Sequence, residues 1–221
     1  MKFKDFQISM GPGLGMDRER LVNLAAFPVY EAIRLWIRSR KLVAPFEKIA
    51  LRIVDKHSEA LSPYFLRARN AIGICQMEVP VDLKDAVEPF PNYRLYISCA
   101  LTALNAIREQ MNWRCDELDH FVRDVLPEQN PPCNHLFEEL VKVDAAGTRW
   151  EVWFKSEYEK SAVVVIARRG EQVIAERVVA SEPGPLYLED RFPIAKTAVK
   201  HGELCLMDKR GTSLAKVALA A

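Results

Sequence analysis

The chain has 221 residues, and its 31 Lys and Arg against 30 Asp and Glu give a formal net charge of +1, so the total implies no strongly charged partner. Half the residues are apolar (49%) and 28% are charged, which is ordinary for a folded protein that can bury a core without disulfide or metal. Five cysteines at irregular spacing argue against a secreted disulfide framework and for reduced, mostly buried thiols.

In chain order, residues 2–9 alternate Phe3, Phe6 and Ile8 with polar residues, which predicts a short strand. The N-terminus lacks the apolar core of a signal peptide, and the expected location is the cytoplasm. Gly11 to Gly15 (GPGLG) reads as a loop, and Asp17 as the N-cap of a helix. The glycine spacing matches neither the dinucleotide fingerprint nor the nucleoside-triphosphate loop. Pro28 fits the first turn of a second helix, running to about Lys41. Arg34, Arg38 and Lys41 on that helix could form a phosphate-contacting stripe.

Residues 46–56 lean towards a strand, and residues 72–81 read as another. From Asn92 to Trp113 the apolar residues Tyr93, Ile97, Ala100, Leu101, Leu104, Ile107 and Met111 keep helical spacing. A second helix is predicted from Cys115 to Leu126. Beyond Pro127, Pro131 and Pro132 the pattern turns to strands: 150–154, 162–167, 172–180 behind a turn at Arg169-Gly170-Glu171, 186–188, 203–207 and 214–219. The longest apolar run, Ser161 to Ala167, is far too short to cross a bilayer. The expected fold is α+β, with a mainly helical N-terminal part followed by an antiparallel β-sheet C-terminal part. It is expected to form a single unit over 1–221, with a possible subdivision into 1–130 and 131–221.

Chemistry-bearing patterns are sparse. Cys115, His120, Cys133 and His135 do not fit the usual zinc spacings, and Asp116, Asp119 and His120 are as well explained by a solvated helix face. There is no nucleophile elbow, and none of the four histidines pairs with a recognisable Ser or Cys motif. No cofactor, metal or catalytic residue is assigned, and the reading leans away from an enzyme.

Charge is uneven along the chain. Residues 1–70 carry +6, 71–140 carry −7 and 141–221 carry +2. The acidic middle includes Asp116, Glu117, Asp119 and Asp124 on one predicted helix, suited to a basic partner. Trp153 falls on the polar side of its strand and is a candidate anchor. In general character the chain resembles the immunity proteins that bacteria pair with polymorphic toxins, although no motif carries the likeness and no residue role transfers from it. That resemblance implies a cytoplasmic inhibitor that occludes one cognate protein, such as a basic toxin. The expected contacts are Asp116, Glu117, Asp119, Asp124 and Trp153. The alternatives are a hydrolase-like enzyme with a dispersed site for a small molecule, and a nucleic-acid-associated regulator. A near-neutral chain without a nucleic-acid motif argues against the last, and no membrane partner or oligomeric state is implied.

Overall fold

The structure, a computed structural model, describes residues 1–10, 16–57, 68–82, 84–85, 90–185 and 193–219. The chain divides into two compact units, Met1–Cys133 and Asn134–Ala221.

The first unit opens with strand β1 (Asp5–Met10), helix α1 (Met16–Arg40) and strand β2 (Lys48–Asp55). β2 lies parallel to β1, as a helical crossover allows. Strands β3 (Arg69–Ala71) and β4 (Ile74–Val81) form a hairpin, and β4 runs parallel to β2, giving the order β1-β2-β4-β3. This corrects the expectation of a mainly helical N-terminal part: the chain is α+β, but its strands begin at residue 5 and a largely parallel sheet organises the first unit. The strands carry local alternation, but their parallel pairing, with partners 43 and 26 residues apart, leaves no local signal to read.

One face of that sheet is apolar throughout. Phe6 and Ile8, Ile49, Leu51 and Ile53, and Cys75, Met77 and Val79 are all buried. Each large side chain there contributes about 1.5–3 kcal/mol by leaving water. Both α1 and helix α2 (Tyr93–Met111) pack on the sheet and touch each other. The Cys75 and Met111 sulfurs, 3.6 Å apart, place α2 on the apolar face.

Helix α1 is one continuous helix, so Pro28 does not begin a second one; it sits in the interior. A proline there removes one helical hydrogen bond, but Ala25, Ala26, Phe27, Val29 and Tyr30 are buried around it and their packing holds the helix. Helix α2 follows its predicted stripe closely. The Asn92 side chain accepts the Leu95 amide at 3.2 Å to cap the start, and Asn112 in left-handed backbone (φ 49°) ends it. The following helix, α3 (Asp116–His120), opens into a π-turn over Phe121–Val125 and a 3-10 turn over Leu126–Glu128, where Pro127 stops it.

The second unit is β-rich. Strands β5 (Cys133–Leu136), β7 (Thr148–Ser156), β8 (Lys160–Arg169) and β9 (Gln172–Pro183) form a sheet in the order β5-β7-β8-β9, with β6 (Lys142–Val143) beside β7. β8 is buried on both faces from Ser161 to Ala167, which explains its unbroken apolar run. Strands β10 (Lys196–Lys200), β11 (Glu203–Met207) and β12 (Ser213–Ala218) form a separate antiparallel sheet. Its first turn, His201-Gly202, has φ of 52° and 78°, the mirror-image turn that suits a two-residue hairpin. The predicted loop at 11–15 and strand at 186–188 lie outside the described residues. Among the described residues no helix is long and apolar enough to cross a membrane.

Candidate partner-binding surface

The β3–β4 hairpin is closed by Ile72-Gly73, a two-residue loop between the paired Ala71 and Ile74. Both loop residues have positive φ, 54° and 76°. Such a turn favours Asn-Gly or Gly-Gly. A β-branched residue in left-handed backbone is strained, at a cost of roughly 1–2 kcal/mol. Packing does not offset that strain, because the Ile72 side chain is fully exposed.

Ile72 has apolar company. The Met1 sulfur lies beside Gly73, and the Met1 ammonium donates to the Ala44 carbonyl at 2.6 Å. Met1 is 60% exposed and Val43, next to Ala44, is 76% exposed. The Trp113 indole N–H donates to the Val43 carbonyl at 3.1 Å, and its ring meets Phe3 and Phe46 edge-on. Exposed Met1 thus lies beside the hairpin tip, and exposed Val43 is tied by its carbonyl to the Trp113 aromatic group, near the amino-terminal ends of β2 and β4.

Trp113 leads directly into the acidic segment. Asp116, Glu117 and Asp124 are exposed and Asp119 is half-buried, while Leu118, Phe121, Val122 and Leu126 anchor the segment inward. Phe121 stacks on Trp36 at 5.1 Å. Residues 114–128 hold five acids against two arginines, a net charge of −3. The acids do not form a bare stripe. Asp116 pairs with Arg114, Asp119 lies 3.6 Å from Arg108, and Asp124 lies 2.8 Å from the His120 imidazole, which leaves Glu117 and Glu128 as the exposed acids without an ion pair among the described residues.

Trp153 belongs to the second unit and has a different setting. It is half-buried against Ala162, Val164 and Ile166. Its indole N–H donates to Glu151 at 2.9 Å, and Glu151 also accepts from Arg149 (2.8 Å) and Arg168 (3.1 Å). Burial alone would raise the Glu151 pKa; these three donors outweigh it and hold the carboxyl below its ordinary value. Lys155, on the same face, is paired with Glu176 at 3.1 Å, so the charges around Trp153 are largely matched and the ring is held by its neighbours.

The basic residues of α1 are not a phosphate-facing row. Arg34 is buried and bidentate to buried Glu31, with both bonds at 2.6 Å, and Arg38 donates to the Lys4 carbonyl. His57 lies 3.7 Å from Asp82 at the carboxyl ends of β2 and β4, but is 69% exposed. The hydrogen bond from Lys56, with the Lys84 amide, holds Asp82 down to about 2. His135 is pushed down to about 4 by burial, and its ring meets Phe137 edge-on. Among the described residues no group of three or more His, Cys, Asp and Glu could hold a metal ion. Burial raises the Cys75 and Cys99 thiols to about 12, which keeps them protonated and inert.

Sequence reasoning singled out the acidic segment as a candidate and did not consider the hairpin tip. The signal was present: Ile where a two-residue turn before Gly wants Asn. Comparison with protein-family models, with curated proteins and with solved structures finds no match for this chain.

Proposed function

We propose that this chain acts by binding a protein, as an inhibitor of the immunity type that occludes its partner, and that the first unit carries the contact surface. The observation that carries this reading is Ile72, an apolar side chain held fully exposed on strained backbone in a hairpin tip that exposed Met1 also meets. Strain with no internal compensation suits a position whose benefit comes from a partner. An apolar centre with a charged rim is the usual anatomy of an interface. The acidic segment that follows Trp113 supplies the rim and favours a partner with a basic face, such as a toxin acting on an anionic substrate. The rim charges would mainly raise the association rate and select the partner, while Ile72 and Val43 would slow dissociation.

Affinity capture with the tagged chain from its native host, run beside Ile72→Asn and the four-acid variant Asp116→Ser, Glu117→Ser, Asp119→Ser, Asp124→Ser, tests this. One stoichiometric protein should be retained by the parent and depleted by both variants. Equal recovery on all three would remove the reading.

A further inference from the structure

The second face of the parallel sheet carries an unassigned site. Parallel sheets are usually covered on both faces. Here α1 and α2 occupy the apolar face, and the register sets polar side chains in rows across the other. Ser9, Arg52 and Glu78 form one row; Gln7, Ala50 and Gln76 form the next. Ala50 is the only small apolar residue of the two rows, and the missing side-chain volume leaves a shallow cavity of about 220 Å³ lined by these residues.

Glu78 lines that cavity and is only 7% exposed, yet it makes no hydrogen bond or ion pair among the described residues. The residue is packed into the sheet while its carboxylate is open to the cavity, where a ligand can reach it. Arg52 sits directly across from it on β2, exposed and equally unpaired among the described residues. Lys48 does not quench the site: its ammonium is held by Asp5 at 3.1 Å and by the Gln7 carbonyl oxygen at 2.7 Å. That bond also turns the Gln7 amide so that its N–H donors have no partner among the described residues.

We propose that this face binds a small zwitterion of the α-amino-acid class, its carboxylate on Arg52 and its ammonium on Glu78. A guanidinium offers two parallel donors that match a carboxylate, and a carboxylate accepts from an ammonium. Neighbouring strands lie about 4.8 Å apart. The ammonium nitrogen and carboxyl carbon of an α-amino acid lie about 2.5 Å apart, so one molecule bridges the two side chains. At roughly 30 Å³ per water the cavity holds about seven waters, room enough for an amino acid. The site is independent of the partner surface.

The test is amide NMR of the isotope-labelled chain with a panel of free amino acids at about 10 mM, enough to load a millimolar site. At least one should shift the amides of Gln7, Ser9, Ala50, Arg52, Gln76 and Glu78 saturably. Its N-acetyl and carboxamide derivatives, and the variants Arg52→Gln and Glu78→Gln, should each weaken that binding tenfold or more. Ala50→Leu, which fills the floor and keeps both charges, should abolish it. The variants' own spectra report whether they fold. No saturable shift with any amino acid, or shifts unchanged in Glu78→Gln, would overturn the proposal and leave the partner reading untouched.

Discussion

Replacing Ile72 by Asn separates the strain at the hairpin tip from its use. Ile72 is fully exposed, so removing its side chain sacrifices no burial. Its φ of 54° costs a β-branched residue roughly 1–2 kcal/mol, and Asn tolerates that backbone far better. Ile72→Asn should therefore stabilise the chain by about 1 kcal/mol, a rise of about 2–4 °C in Tm for a protein of this size. Thermal unfolding followed by circular dichroism, with parent and variant side by side, measures the shift. The same variant should bind the captured partner more weakly, so stability rises while binding falls, the pattern of a residue kept for function. A lower Tm would refute the strain argument. A higher Tm with unchanged affinity would refute the assignment of Ile72 to the interface.

Three further outcomes are expected. Glu31→Gln or Arg34→Met each breaks the buried, doubly hydrogen-bonded ion pair and should cost about 3–5 kcal/mol in urea unfolding, while the double variant should cost less than the sum; single costs under about 1 kcal/mol would show the pair is solvated. His135 has a folded pKa of about 4, below its unfolded value of about 6.5, so the unfolded state binds the extra proton and stability falls as pH drops through that window. The loss should approach about 3 kcal/mol by pH 4 and be absent from His135→Phe, as pH-dependent urea unfolding would register. Glu151→Ala should remove the acceptor of the Trp153 indole and shift its fluorescence, whereas an unchanged spectrum would mean the apolar contacts of Trp153 alone hold it.

Local patterns in this sequence were legible where a long element faces one environment. The stripe of α2 and the doubly buried β8 belong to that class. The parallel sheet was hidden because the pairing of Ile8 with Leu51, and of Leu51 with Met77, is set by tertiary contact and not by anything near each residue. Pro28 misled for a similar reason, since a helix-interior proline is tolerated only when burial around it compensates. Arg34 looked solvent-facing by spacing, but the Glu31 partner three residues before lets it go inside. The acidic segment was visible as composition, but its pairing with Arg108, Arg114 and His120 was not. The polar sheet face left a trace in each strand, Gln7 and Ser9, Lys48 and Arg52, Gln76 and Glu78, all at alternate positions. Only the register shows that they meet.

The most direct measurement of the partner-binding account is the association rate between this chain and its captured partner as a function of salt. The account predicts a rate that falls steeply with ionic strength for the parent chain, and a lower, nearly flat dependence when Asp116, Glu117, Asp119 and Asp124 are all Ser. Identical rates and identical salt dependence for the two would contradict it.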